Sequence, residues 1–215
     1  MIEAGTNLDL QNKDGWTALM LACRFAGSDS SEETVRMLIQ AGAKLDLQDK
    51  DGWTPLMSAC RNAGSGSTEH TVVILIQAGA DVNLQNKNGW SPLSVSARYS
   101  GSDSTIGSVR ALIEAGSNVN VREKNQGWTP LMSACHQPEH SPETIQILLD
   151  AGTNINIEGY QGETALSIYV KKACDLRIVE RMLKAGARIQ KQTSIFADPE
   201  LRKLLLEHHH HMLLK

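Results

Sequence analysis

The residues best suited to molecular recognition in this chain are its four tryptophans, each of which follows a glycine and precedes a threonine or serine. Tryptophan offers a large rigid contact area and one N–H donor, so it is common at the centres of binding surfaces. A basic residue recurs a short distance after each one, and arginine can stack on an aromatic ring as a cation–π pair. The candidate partner-binding residues are Trp16, Trp53, Trp90, Trp128, Arg24, Phe25, Arg61, Arg98, Tyr99 and His136.

Residues that could catalyse a reaction or hold a metal are scattered along the chain. The histidines have no nucleophile at a useful spacing, and no phosphate-binding loop, nucleophile elbow or paired-histidine zinc motif occurs. Cys23, Cys60 and Cys135 recur at the same place in different copies of a repeat, and neighbouring copies would lie about 10 Å apart. A disulfide needs less than about 7 Å between Cα atoms. The sequence therefore predicts no enzyme activity, no cofactor and no metal site.

The composition of the chain argues against nucleic acid and membrane as partners. The chain has 215 residues, 41% of them hydrophobic and 21% charged, which is typical of a folded domain. Its net charge of -3 gives no basic excess, so nucleic acid is not expected as the partner. No apolar run reaches the length of about 18 residues that a membrane span needs. We therefore expect neither nucleic acid nor a membrane as the partner. The cysteines, placed as reduced thiols, indicate a cytoplasmic protein, which we expect to be monomeric.

The elements that must position these side chains come from an internal repeat. The motif Gly-Trp-Thr-Pro-Leu-Met, with small variations, occurs five times. The residue directly before its glycine is number 14, 51, 88, 126 or 161. A second motif, Leu-Ile-Gln-Ala-Gly-Ala in its first copy, lies between them. Each unit is typical of a turn, a helix, a loop and a second helix. One unit cannot bury its own apolar face, so stacked neighbours must build the core.

Helix caps follow from the same alignment. Hydroxyl or carboxylate side chains at a helix start accept hydrogen bonds from its free N–H groups. The predicted caps of the first helices are Thr17, Thr54, Ser91, Thr129 and Thr164. The predicted caps of the second helices are Ser30, Ser67, Ser104, Ser141 and Asp175.

This repeated pattern resembles the ankyrin repeat over nearly the whole chain. The resemblance implies an all-α fold: an ankyrin-repeat solenoid of stacked helix pairs with β-hairpin-like loops on one edge. Two features depart from the family. The copies are mostly longer than its 33-residue period, and the histidine that usually follows Thr-Pro-Leu is absent. Its position holds Met20, Met57, Ser94, Met132 and Ser167.

The expected organisation follows from the motif positions. Residues 1–13 match the end of a truncated repeat, as in a fragment of a longer protein. The repeats are expected at 14–50, 51–87, 88–125, 126–160 and 161–193, followed by a capping helix at 194–206. Residues 207–215 contain four consecutive histidines, which we interpret as an expression tag or tail rather than a metal site.

The resemblance implies a protein–protein interaction module. In the family, the positions of the tryptophans and the following basic residues line the concave face, where they would suit a partner with an acidic or carboxylate-rich segment. The alternative for the tryptophans is packing against neighbouring loops. The alternative for the arginines is solubilising the surface or pairing with acids of the same chain.

Three further expectations concern alternative roles of the repeats and a modification of one residue. The repeats could be the targeting or adaptor region of a larger enzyme, ligase adaptor or host-directed effector acting inside a host cell, or a spacer without a ligand. The segment before Asn83 resembles ankyrin sites modified by an asparaginyl hydroxylase. The alternative for Asn83 is a structural role, in which it holds the hairpin through hydrogen bonds.

Overall fold

The computed structural model describes residues 6–27, 31–64, 67–101, 106–137, 142–172, 175–190 and 199–213, with side chains up to residue 206. Within these ranges the regular secondary structure is helical, and an isolated β-bridge joins Ala63 and Ser67. No helix in these ranges is both long and apolar enough to cross a membrane. The all-α prediction is confirmed.

The first helix of each repeat begins directly after its predicted cap. The hydroxyl oxygens of Thr17, Thr54, Ser91, Thr129 and Thr164 each accept a hydrogen bond, at 3.2 or 3.3 Å, from the backbone N–H three residues later. Proline at the first helical position suits three of these starts, because its missing N–H would have no partner there. These helices are α1 (Ala18–Arg24), α3 (Pro55–Asn62), α5 (Pro92–Tyr99), α7 (Pro130–Cys135) and α9 (Ala165–Lys172).

The second helices are α2 (Glu32–Gln40), α4 (Glu69–Gln77), α6 (Ile106–Glu114), α8 (Pro142–Asp150) and α10 (Leu176–Lys184). Asp175 caps α10 as predicted, but Ser67 does not cap α4; Thr68 does. The reason is that the backbone of Ser67 is held by the preceding loop, where its N–H donates to the carbonyl of Asn62 at 2.8 Å. The cap of α2 is Ser31 rather than the predicted Ser30, so that prediction is wrong by one residue. Ser30 itself and the predicted caps Ser104 and Ser141 lie outside the described residues.

The hairpins join neighbouring repeats through backbone hydrogen bonds. The N–H of Lys50 donates to the carbonyl of Asp14 at 3.1 Å, and that of Lys87 donates to Asp51 at 3.0 Å. Gly52 lies at such a contact with a φ of 83°, and a Cβ there would come within 2.8 Å of the Lys87 nitrogen. Glycine is therefore required both by backbone conformation and by space.

The core runs the length of the stack. Consecutive first helices pack on one another, as do consecutive second helices, so each repeat buries its apolar face against its neighbours. The residues at the usual histidine position, Met20, Met57, Ser94, Met132 and Ser167, are all buried. The three described cysteines are free and buried, and burial raises the pKa of Cys60 to about 12. They behave as small hydrophobic residues, as their positions predicted.

The last described helix, α11 (Pro199–Leu213), packs against α10 and buries Leu201 and Leu205. It begins at Pro199, within the range expected for the capping helix, and residues 194–198 lie outside the described residues. It continues beyond residue 206, the predicted end of the capping helix, because neither glycine nor proline interrupts the sequence from Glu200 to Leu213.

Candidate partner-binding surface

The hairpin of each of the first three repeats fixes the backbone of its tryptophan. For the tryptophan of the second repeat, a carboxylate oxygen of Asp49, at the end of the preceding repeat, accepts from the backbone N–H of Asp51 at 2.9 Å and from that of Trp53 at 2.8 Å. Asn12 and Asn86 make the same pair of bonds in the first and third repeats. The three indoles therefore leave their hairpins from equivalent, anchored backbone positions.

An arginine from the end of the first helix lies over each of these indoles. The guanidinium carbon is 5.3 Å from the ring centroid for Arg24 and Trp16, 5.7 Å for Arg61 and Trp53, and 5.4 Å for Arg98 and Trp90. All three pairs are within the range of a cation–π interaction. The predicted stacking is present, and we call these six residues the Trp/Arg row.

Two of the arginines also contact a second aromatic ring. Arg24 lies 5.4 Å from the centroid of Phe25. Arg61 lies 4.7 Å from the centroid of Tyr99, in the next repeat, and its Nη1 donates to the Tyr99 hydroxyl at 2.9 Å. Arg61 is therefore held by rings from two repeats.

The arginines of the Trp/Arg row form no ion pair with any residue that the structure describes. Elsewhere arginines are paired: Arg110 with Glu143 at 3.5 Å, and Arg177 with Asp175 at 2.9 Å. Pairing with acids of the same chain, one of the alternatives for this row, therefore does not occur for its three arginines within the described ranges. Their charge is stacked on aromatic rings and open to a partner.

The first two units of the row line an open pocket of about 250 Å³. It is lined by Trp16, Arg24, Asp49, Asp51, Trp53, Ser58, Arg61 and Asn62. The three indoles of the row are only partly buried. In the described part of the chain their N–H groups have no hydrogen-bond partner, so they can donate to a ligand.

The fourth repeat is built differently at the same position. Trp128 is 7% exposed, and its indole N–H donates to a carboxylate oxygen of Glu163. His136 takes the place of the arginine, with its ring centroid 4.9 Å from that of Trp128 and the two ring planes 48° apart. Burial lowers the pKa of His136, and the nearby charges of Lys172 and Arg98 lower it further. Trp128 therefore lies in the core, and its N–H is already used.

Asn83, the candidate hydroxylation site, links two repeats. Its side-chain oxygen accepts from the backbone N–H of Asn118 at 2.8 Å, and its amide donates to the carbonyl of Gly116 at 3.3 Å. At the equivalent positions a side-chain oxygen also accepts from a backbone N–H of the next repeat. These positions hold Asp9, Asp46, Asn120 and Asn156. The structural role considered for this residue is present, and its hydroxylation stays a prediction.

Sequence reasoning missed two contributors to this surface. One is a recurring hairpin position, occupied by Asp49 before Trp53, whose side chain bonds the backbone N–H of the tryptophan that follows. The other is Glu163, which occupies the tryptophan position of the fifth repeat and binds the indole of the fourth. The change from tryptophan to glutamate was visible in the sequence, but its effect on Trp128 depends on the contact between repeats. Among the described residues, no group of three His, Cys, Asp or Glu side chains could hold a metal ion.

Comparison with known proteins agrees with this architecture. A family model for ankyrin repeats matches three times, over residues 1–83, 63–159 and 109–193, and so covers most of the chain. No curated protein matches the sequence. On the strength of the repeated match and the helical stack, the chain belongs to the ankyrin-repeat family, whose repeats are generally protein–protein interaction modules.

Proposed function

We propose that the chain binds a partner protein on its concave face through the Trp/Arg row. The observation that carries this proposal is the combination of three part-exposed indoles with three arginines that have no ion-pair partner among the described residues. Tryptophan and arginine are the residues most enriched at energetic centres of protein interfaces. A surface used only for solubility has no need to order arginine on aromatic rings.

The charge of the row favours an acidic partner segment. A guanidinium group presents its N–H donors as a planar fork that matches a carboxylate. Stacking on a ring leaves the edges of that fork available, and it restricts the side chain before the partner arrives. Less conformational entropy is then lost on binding.

The proposal is tested with the double substitution Trp53→Ala and Trp90→Ala. Partner proteins are captured from cells of the source organism on wild-type and variant protein, and each retained protein is quantified. We expect the specific partner to be retained at least about tenfold less by the variant, which corresponds to about 1.4 kcal/mol of binding free energy.

Tyr160→Ala is the matched control. Tyr160 is 63% exposed and lies 5.3 Å from the guanidinium of Arg122, but this pair belongs to the hairpin edge rather than to the row. The control should retain the partner as the wild type does. Equal retention by the double variant, with its helical circular dichroism intact, would overturn the proposal.

We also infer that this binding takes place in the cytoplasm of the source cell or of a host cell. Three described cysteines are free, which suits a reducing compartment. Microscopy of the tagged protein in its source cells, or in infected host cells, tests the inference. Accumulation outside the cytoplasm would contradict it.

A further inference from the structure

We infer that the Trp/Arg row accepts an extended peptide segment in a polyproline II conformation, with an acidic residue at every third position. This inference rests on the proposed function and adds the conformation and spacing of the ligand. It commits the surface to one class of partner: an acidic, proline-compatible segment of another protein.

The first step is the spacing of the arginines. One arginine of the row occurs in each of three successive repeats, at the end of α1, α3 and α5. These helices stack on one another in that order. Packed helices lie about 8–10 Å apart. The row therefore offers three positive groups at intervals of about 10 Å.

The second step compares this interval with the repeat of a bound chain. A polyproline II helix rises about 3.1 Å per residue with three residues per turn, so every third side chain lies on one face about 9 Å further along. A β-strand places residues three apart on opposite faces. An α-helix needs about seven residues to advance the same distance. The polyproline II geometry matches three arginines with the shortest segment.

The third step is the rigidity of the receptor groups. Arg24 contacts the rings of Trp16 and Phe25, while Arg61 contacts those of Trp53 and Tyr99. The bond from Arg61 Nη1 to the Tyr99 hydroxyl leaves its other N–H donors for a ligand. Because stacking limits their movement, the arginines cannot adjust fully to a ligand with another spacing.

The fourth step concerns the length of the segment. The row ends at the fourth repeat, where His136 replaces arginine and the indole N–H of Trp128 is bound to Glu163. The lowered pKa of His136 favours its neutral form, which does not attract a carboxylate. Three acidic residues therefore fill the row, and a fourth should add less affinity than each of the first three.

The experiment uses synthetic proline-rich peptides that each contain three glutamates and have identical composition. The glutamates are placed at i, i+3, i+6 in the first peptide, at i, i+2, i+4 in the second and at three adjacent positions in the third. A fourth, helix-forming peptide carries them at i, i+7, i+14. Affinities for the full chain are measured by isothermal titration calorimetry in low salt. We expect the first peptide to bind at least about fivefold more tightly than the others.

The variant Arg61→Gln should remove this preference, because Arg61 is the central group of the row. Arg110→Gln is the matched control, since Arg110 pairs with Glu143 on the second helices; it should preserve the preference. If all peptides bind equally and Arg61→Gln weakens binding of each, the inferred spacing of acidic residues at every third position is wrong. The proposed function would still stand. Tighter binding of the helical peptide, or no binding of any peptide, would also overturn the inference. Neither result decides the proposed function, because partner capture by the Trp53 and Trp90 double variant tests it separately.

Discussion

The second and fourth repeats place a tryptophan at the same point of the same motif, yet the two indoles have opposite environments. Trp53 is partly exposed, stacks with Arg61 and has no partner for its N–H in the described part of the chain. Trp128 is buried, packs beside His136 and donates to Glu163. The neighbouring residues, rather than the motif, determine whether the indole at this position is partly exposed or buried in the core.

The largest difference between the two indoles is expected in stability. Trp128→Ala should lower the free energy of unfolding by about 3–5 kcal/mol, because it removes a buried aromatic side chain and leaves a cavity. Trp53→Ala should cost about 1 kcal/mol, since its ring is partly exposed and a cation–π pair at such a site contributes about 0.5–1 kcal/mol.

Urea unfolding followed by far-ultraviolet circular dichroism checks this pair of values without relying on tryptophan fluorescence. The substitutions lie in equivalent positions, so each is the control for the other. Equal losses of stability would show that the two environments do not differ energetically as the structure indicates.

A smaller loss of stability is expected on substitution of Glu163, whose bond to the Trp128 indole has no equivalent at Trp53 among the described residues. Glu163→Ala should reduce stability by about 1–2 kcal/mol, because it removes the acceptor of the Trp128 N–H and leaves that donor poorly satisfied. It also removes the acceptor of the Gln161 backbone N–H.

The double variant Trp128→Ala with Glu163→Ala provides the control in thermal or urea unfolding. If the contact is energetically real, the effect of Glu163→Ala should shrink when Trp128 is absent. If Glu163→Ala lowers stability as much in Trp128→Ala as in the wild type, Glu163 acts only through its bond with the Gln161 backbone N–H.

The comparison also shows which parts of the molecule the sequence can predict. The caps of the first helices and the stacking of Arg61 on Trp53 follow from local spacing, since they involve residues of one repeat. The fold follows from the recurrence of the motifs, which predicts stacked units. The caps of α2 and α4 were each missed by one residue, and at α4 the Ser67 N–H is bonded to the carbonyl of Asn62 at the end of α3. The burial of Trp128 was missed for a different reason: its partner, Glu163, is supplied by the next repeat.

A still smaller stability effect is expected at the bridge between the second and third repeats. Tyr99→Phe keeps the ring that stacks on Arg61 and removes the hydroxyl that accepts from Arg61 Nη1. The loss of this solvent-accessible bond should cost about 0.5 kcal/mol or less in unfolding free energy. Acidic-peptide affinity should fall about two- to threefold, because Arg61 is less restrained. Full affinity in Tyr99→Phe, measured by calorimetry, would show that the hydroxyl does not position Arg61 for binding.

The smallest expected effect is a pH dependence that belongs only to the fourth repeat. Burial and the charges of Lys172 and Arg98 hold the pKa of His136 below its value in the unfolded chain, which is about 6.5. As the pH falls below about 6.5, the unfolded state binds a proton more readily than the folded state, so this residue lowers the free energy of unfolding. The loss continues until the pH passes the pKa of the folded state. His136→Gln should therefore lose less stability than the wild type between pH 7.5 and 5.5 in parallel urea titrations. Because the other titrating groups are shared, parallel curves for the two proteins would contradict this role of His136.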